Sequence, residues 1–439
     1  MRIRPVLVCV ILVCLVASFS IFYTKSSRMF KAVSRDTVYA SYNAPRTMSE
    51  KPVEAVISVP EEPKRIDSER EEKPSASPAP LERMIDPSMR WRWNDGNDYD
   101  AIARAVLKRM NGGDEDSQPY YIIYNVDSTV GFANQFRSLC SLFLLAVASG
   151  RKFRINWGDY YEVTNSYFGE LRYSRKEVEF MKFKGYNSFP RGVCNSTKFA
   201  SRNVTQIFGN RNLSFHILSD LSCVVLDNPK YMEVLRRLGF RIAEAGSSFH
   251  DITYGEAHRL IRGQVARLLL TPNAEISQTI ADNLKHFERR PAIGVQLRMG
   301  GSVSKTIENH RFLRISSLPF ADEEIENALK YLKVDKRNTT LFVTTDSGIV
   351  RNRMLQMYTS MNAIQATGYA IGHSSAYFAG GNTHLTYLKR AIMDLVLMSQ
   401  CDYIIYTRGS SYGQLAMRLG LNTPSRDLCH NKICSPFVY

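Results

Sequence analysis

Hydrophobic and polar positions divide this chain into three stretches. Residues 5–23 (PVLVCVILVCLVASFSIFY) run nineteen positions without a charge. At a rise of about 1.5 Å per residue, about 20 apolar residues span the hydrocarbon of a bilayer. From about residue 34 to 87 the chain turns to Pro, Ser, Glu, Lys and Arg with few aromatics. A segment such as EEPKRIDSEREEKPSASPAPLER cannot bury enough apolar area to offset the entropy of ordering it, so it reads as a disordered stem. From residue 91 onward, apolar runs of strand length alternate with helical periodicity.

That alternation predicts strands over 120–125 (YYIIYN), 152–157 (KFRINW) and 223–226. After Arg290-Pro291 it predicts further strands over 292–298 (AIGVQLR), 340–345 (TLFVTT) and 403–406 (YIIY). Helices are predicted over 134–149, 231–241, 254–270, 322–332 (opening on an acidic cap), 383–399 and 413–420. Residues 160–228 read as loops or insertions. Strand and helix in alternation imply a parallel sheet, and no internal repeat is present. The expected fold class is α/β, with two Rossmann-like domains joined near residue 290 and facing a cleft. The expected organisation is a cytoplasmic tail (1–4), a transmembrane signal anchor (5–23), a stem (24–90), an N-terminal domain (91–290) and a C-terminal domain (291–439).

Charge and cysteines bear on the compartment. Arg2 and Arg4 precede the apolar run and favour a cytosolic N-terminus, while Lys25, Arg28 and Lys31 follow it. Ala17, Ser18 and Ser20 keep a cleaved signal peptide open as the alternative; the length of the run favours an anchor. Sequons at Asn195, Asn203, Asn212 and Asn338 fit a body in the secretory pathway. Outside the anchor lie Cys140, Cys194, Cys223, Cys401, Cys429 and Cys434, six thiols with fifteen pairings. Cys429 with Cys434 and Cys194 with Cys223 are the pairings considered; Cys140 and Cys401 sit in apolar runs as buried free thiols. The net charge of +15 favours anionic partners such as a nucleotide-sugar diphosphate. Nucleic acid is not expected: there is no run of five basic residues and no interleaving of aromatic with basic positions.

In a parallel sheet the ligand lies beyond the carboxyl ends of the strands. Three polar clusters occupy such ends. Arg298 leaves its strand where Met299-Gly300-Gly301 begins, and a guanidinium there can grip a diphosphate bidentately. Asp346 ends the run TLFVTTD and can accept hydrogen bonds from guanine; the bland alternative is a helix cap. Thr407-Arg408-Gly409-Ser410-Ser411-Tyr412-Gly413 stands between a strand and a helix, where hydroxyls and backbone N–H groups hold anions; the alternative is an ordinary capped turn.

Together these segments resemble the inverting GDP-fucose fucosyltransferase superfamily of GT-B fold, most nearly the plant xyloglucan-type α1,2-fucosyltransferases. The resemblance covers two blocks, 130–160 and 290–425; residues 161–290 do not align. IGVQLR resembles the first motif, whose arginine, here Arg298, holds the β-phosphate, with Gln296 where other branches carry His. LFVTTD resembles the second motif, with Asp346. The run from His373 through HLTYLKRAIMDLVLMSQCDYIIYTRGSSYGQLAMRLGL resembles the third, which implies nucleotide and phosphate contacts from Ser410, Ser411, Tyr412 and Gly413. Gly131-Phe132-Ala133-Asn134-Gln135 resembles a G-x-G-N segment, with Ala133 in place of the second glycine.

The resemblance implies fucosyl transfer from GDP-fucose to a glycan acceptor with inversion, in α1,2 linkage, by a Golgi type II membrane protein with its body in the lumen. Other fucosyl linkages (α1,6 or protein O-fucose), a different sugar-nucleotide donor and a catalytically silent glycan-binding protein are the alternatives. Arg298, Asn134 and Arg137 are the expected catalytic residues; Gln296, Arg298, Asp346, Ser410, Ser411, Tyr412 and Gly413 are the expected donor contacts. Lys305, His310, Arg311 and Arg314 follow the first motif and can add positive charge. No metal is expected, since the Asp-x-Asp pairs Asp98/Asp100 and Asp114/Asp116 lie in polar stretches before the first strand. Asp127, Asp159 and Glu162 are the candidate bases, with Gln135 where some relatives have an acid. A homodimer is left open.

Overall fold

The computed structural model of the chain describes residues 93, 95–115, 117–186, 202–217, 220–242, 254–287, 289–300, 312–372, 374, 383–421 and 423–428. The anchor and stem, Asn195, Lys305, His310, Arg311, His373, Cys194, Cys429 and Cys434 lie outside the described residues.

The first half is built on a parallel sheet of β1 (Gln118–Asn125), β2 (Arg151–Asn156), β3 (Phe183–Tyr186) and β4 (Asn212–Phe215) in the order β2-β1-β4-β3. Helix α1 (Tyr99–Met110) opens on Asp98, whose carboxylate accepts from the Ala101 amide. Helix α2 (Phe132–Ser149) connects β1 to β2 and ends on Gly150 at φ +67. It runs through the core, with Phe136, Leu139, Leu142, Phe143 and Leu145 fully buried, and keeps its polar residues Asn134 and Arg137 in its first turns. Its length and hydropathy would suffice to cross a bilayer, but it is 78% buried within the fold.

Residues 160–228, expected to be loops, contribute β3 and β4, each only four residues long and too short to show alternation. Asn212 is locked into this sheet: its Oδ1 accepts from the Tyr121 amide at 2.9 Å. The exposed Asn203 instead caps a short helix, Val204–Phe208. The strand expected over 223–226 is a helical turn, Cys223–Leu226. Its β-branched pair suggested extension, but the Leu226 amide closes onto Ser222 O at 2.9 Å and the Asp227 amide onto Cys223 O at 2.9 Å, burying all four side chains in a tight bend. Cys223 is disulfide-bonded. Cys140 and Cys401 are free thiols, Cys401 fully enclosed and Cys140 partly so.

Helices α3 (Pro229–Arg237), α4 (Tyr254–Leu269) and α5 (Ala274–Leu284) lead to the second half. There β5 (Ala292–Leu297), β6 (Thr340–Thr345), β7 (Asn362–Ile364), β8 (Tyr403–Thr407) and β9 (Ser425–Leu428) form an all-parallel sheet in the order β7-β6-β5-β8-β9. Helix α6 (Leu318–Leu332) begins before its acidic residues, because Pro319 presets the first turn. Then follow α7 (Gly348–Met357), α8 (Thr383–Ser399) and α9 (Ser411–Leu419). One face of the sheet packs Ile293, Val295, Leu341 and Ile405 against α6 and α7. The other face, with Ala292, Phe342 and Ile404, packs against α8 and α9 and shares one core with the first half.

That shared core fixes how the halves meet. At Gly263 a Cβ would lie 2.4 Å from Arg418 O and 2.3 Å from Leu421 Cδ2, so α4 crosses the end of α9 backbone to backbone. Four residues further along α4, Arg267 donates from Nε to Leu419 O at 2.8 Å, capping the carboxyl end of α9. The same guanidinium pairs with Asp95 at 2.6 Å and lies 4.7 Å over the Trp93 ring. Replacing Arg267 with Met should cost about 3–5 kcal/mol, because Asp95 is left enclosed without its counter-charge and α9 without its cap. Denaturant titration checks this; unchanged stability would mean the clamp is dispensable.

Candidate active site

The chain runs from β5 outward to β6 and β7, then returns to β8 on the other side of β5. The carboxyl ends of β5 and β8 therefore flank a topological switch point, where an open α/β sheet presents its ligand crevice. A cleft of about 380 Å³ opens there. Arg298, Gln296, Asp346, Ser410, Ser411 and Tyr412 line it from the second half, and Asn134 and Arg137 line it from α2 in the first. Eight of the nine residues singled out in the sequence thus share one space; Gly413 stands directly behind it.

The two strand ends are stitched together. The Thr407 amide donates to Gln296 Oε1 at 3.1 Å, the Thr407 hydroxyl donates to Gln296 O at 3.1 Å, and the Arg298 amide donates to Thr407 Oγ1 at 2.8 Å. Gln296 therefore holds the frame of the site as well as lining it. Asp346 also works on the frame: its oxygens accept from the Met299 amide at 2.8 Å and the Gly300 amide at 3.0 Å, and its carboxylate stands 3.4 Å from the Arg298 guanidinium. The sequence offered guanine contact or helix capping for this residue. In the structure both oxygens are engaged by the turn after β5, and the cap of α7 falls to Ser347, whose Oγ accepts from the Val350 amide.

Ser410 caps α9, its Oγ accepting from the Gly413 amide at 3.3 Å. Tyr412 donates its hydroxyl to Ala391 O at 2.9 Å, and burial pushes its pKa well above the ordinary value. Helix α2 begins in the same cleft with Gly131 as N-cap and no side-chain cap of its own; the Phe132 amide donates to Ser374 Oγ from the other half at 3.0 Å. Two helix N-termini thus converge, each the positive end of a dipole. Three guanidiniums (Arg137, Arg298, Arg390) face two carboxylates (Asp346, Asp394), which leaves the cleft wall with an excess of positive charge.

Arg390 and Asp394 did not emerge from the sequence reading. They stand one turn apart on α8, 2.9 Å from each other, and Asp394 Oδ2 accepts from the Thr344 hydroxyl at 2.9 Å. The signal was present: Asp394 interrupts the otherwise apolar run AIMDLVLM. Phe312 also lines the cleft, its ring 5.8 Å from the Arg298 guanidinium. A second cavity of about 560 Å³ continues past Ile371, Gly372, Tyr387 and Arg390 toward Gln365 and Arg351.

The carboxylates considered as bases lie elsewhere. Asp127 Oδ1 accepts from Thr129, and Asp159 pairs with His384 at 3.1 Å; neither they nor the exposed Glu162 line the cleft, and Arg314 does not line it either. Asp98 caps α1 and Asp114 pairs with Arg109 at 2.7 Å. Among the described residues no three His, Cys, Asp or Glu side chains converge as a metal site.

No protein-family model matches the sequence, and no curated protein matches it. Solved structures similar to the chain include a mutant of Arabidopsis thaliana FUT1 in complex with GDP, with 12% identity, 74% of this chain and 72% of that chain covered, and a TM-score of 0.48. NodZ alpha-1,6-fucosyltransferase soaked with GDP-fucose has 18% identity, with 69% and 93% covered and a TM-score of 0.36. POFUT1 in complex with GDP-fucose has 10% identity, with 71% and 98% covered and a TM-score of 0.36. Likenesses this remote leave the function to be argued from the cleft.

The start of α9 is the most tightly fitted part of that cleft. A Cβ on Gly413 would lie 2.7 Å from both Gln296 Oε1 and Tyr406 Cβ. Gly413→Ala should therefore cost about 1–3 kcal/mol in a urea titration, because the helix must back away from β5 and β8; a wild-type midpoint would mean that the N-terminus of α9 is free to shift.

Proposed function

We propose that this protein is a fucosyltransferase that moves L-fucose from GDP-fucose to a glycan acceptor with inversion, in α1,2 linkage and without a metal, anchored in the Golgi membrane as a type II protein. The observation that carries the reading is the convergence of Arg298, Ser410, Ser411 and two helix N-termini on one cleft at the switch point. When C1 of the sugar parts from the diphosphate, negative charge builds on the leaving oxygens. Preorganised guanidinium, hydroxyl and N–H donors stabilise that charge more than they stabilise the bound donor, which is what accelerates transfer.

In this reading Arg298 grips the diphosphate, the Ser411 hydroxyl and the first amides of α9 complete its cradle, and Asn134 and Arg137 close over it from α2. Asp346 was offered for guanine recognition or for helix capping. With both Asp346 oxygens on backbone amides, we assign guanine recognition to Asp394, whose Oδ1 faces Arg390 without an in-line hydrogen bond. The base then extends along the cavity shared with Tyr387 and Arg390. The acceptor hydroxyl attacks C1 on the face opposite the departing GDP. The bond from C1 to the diphosphate oxygen breaks as the new C1–O bond forms, GDP leaves with the negative charge, and the acceptor proton is given up to solvent water, since both cleft carboxylates already have partners.

Arg298→Ala should reduce transfer by about 1000-fold or more and weaken GDP binding, with the melting temperature little changed; normal turnover would sink the reading. A screen of nucleotide-sugar donors with the purified protein should give GDP release with GDP-fucose alone; GDP-fucose binding without turnover would favour a silent glycan-binding protein. Inosine diphosphate lacks the exocyclic amine, so it should bind about 10-fold or more weakly than GDP, and Asp394→Asn should narrow that ratio. An unchanged ratio would remove Asp394 from base recognition.

A further inference from the structure

Arg390 and Asp394 stand where the cleft passes into the second cavity, one helical turn apart on α8. They are 6% and 5% exposed. Polar groups enclosed to this degree nearly always find hydrogen-bond partners inside the fold. This pair is an exception. Arg390 Nε lies 2.9 Å from Asp394 Oδ1, yet both atoms are buried and neither makes a hydrogen bond.

The guanidinium is held so that it cannot turn to repair this. Nη1 donates to Tyr369 O at 3.0 Å. Tyr369 belongs to the strap that follows β7, and α5 pins that strap in turn. The Thr367 amide donates to Asn283 Oδ1 at 2.8 Å, and the Tyr369 hydroxyl donates to Glu275 Oε1 at 3.0 Å. Asp394 is held as well, its Oδ2 accepting from the Thr344 hydroxyl at 2.9 Å. With Nε and Nη1 placed, the guanidinium plane is fixed, and Nη2 lies beside Nε, next to the carboxylate. Among the described residues no hydrogen bond takes up Nη2. Both side chains line the cleft, and Arg390 lines the second cavity too. The pair therefore presents a fixed donor beside a fixed acceptor, with the two charges balancing each other.

A ligand edge that satisfies both carries an acceptor beside a donor and no net charge, which a phosphate does not. Guanine has such an edge, the O6 carbonyl beside the N1 proton. Adenine has the reverse, an amine beside a bare ring nitrogen. Building on the proposed function, we infer that Arg390 is a specificity residue that donates to the O6 carbonyl of the nucleotide base while Asp394 accepts from N1–H. Adenine in this place would set its amine against the guanidinium and its bare nitrogen against the carboxylate, leaving enclosed polar groups unpaired.

Inosine and adenosine diphosphates test that edge, because both lack the amine at C2 and differ only at N1 and C6. Calorimetric titration of the full-length protein should show IDP binding about 10- to 100-fold more tightly than ADP. Arg390→Lys keeps a positive charge beside Asp394 but loses the planar fork, so it should narrow that ratio to about threefold or less. The ratio of GDP to IDP affinity, which reports the C2 amine, should keep its wild-type value. IDP and ADP affinities that fall by one common factor would mean that Arg390 only supports the strap, and would overturn the inference. If Arg390→Lys does not fold, 6-thioguanosine diphosphate carries the test on the wild-type protein. It keeps N1–H and the amine but has a poorly accepting sulfur for O6, so it should bind about 10-fold or more weakly than GDP; equal affinity overturns the inference. A wild-type protein that binds none of these nucleotides overturns the proposed function and this inference with it, whereas turnover of GDP-fucose with equal affinity for IDP and ADP overturns this inference alone.

Discussion

The carboxyl ends of β5 and β8 are held together by one threonine. Thr407 donates twice to Gln296 and accepts from the Arg298 amide, so the residue that leaves β5 and the turn that leads into α9 cannot move independently. Asp346 adds the third strand end by accepting from two amides of the turn after β5. The remaining features of the cleft depend on this frame. It fixes where the Arg298 guanidinium begins, and it brings the N-terminus of α9 close enough to β5 that no side chain larger than hydrogen fits at Gly413.

The cleft also needs the first half, and the two halves are joined by packing rather than by a linker. One face of the second sheet shares its core with α2, α4 and α5. The contact at Gly263 and the cap that Arg267 places on Leu419 O seat the carboxyl end of α9. Ser374 meets the first amide of α2 across the same seam. A helix anchored at one end presents its other end in a defined place, which is what an anion site made of backbone N–H groups requires.

Charged residues at the seam are divided between two tasks. Arg298, Arg390 and Arg137 face the cleft, while Asp346, Asp394 and Asp220 each hold something else in position: a turn, an arginine one helical turn away, and a cluster of guanidiniums. Buried carboxylates here set geometry, and the guanidiniums they hold carry the positive potential. That division leaves the wall of the cleft with an excess of positive charge.

The sequence by itself determined the alternation of elements in the second half and the residues at its strand ends. A buried parallel strand shows as a continuous apolar run, so AIGVQLR, TLFVTTD and YIIYTRGSS each displayed a polar side chain at the end of such a run. Long helices with an apolar face were equally legible, as α2 and α8 were. What only tertiary structure decided falls into two groups. Strands as short as β3, β4, β7 and β9 carry no period of their own and exist because a neighbour's edge pairs with them, while Cys223–Leu226 bends into a helical turn against its β-branched tendency. The partners of buried charges were equally hidden. Nothing along the chain says that Asp346 would accept from two backbone amides, that Asp394 and Arg390 would turn into the cleft, or that Asp220 would meet Arg262 and Arg418, because electrostatic partnership is settled by distances across space and the sequence records only distance along the backbone.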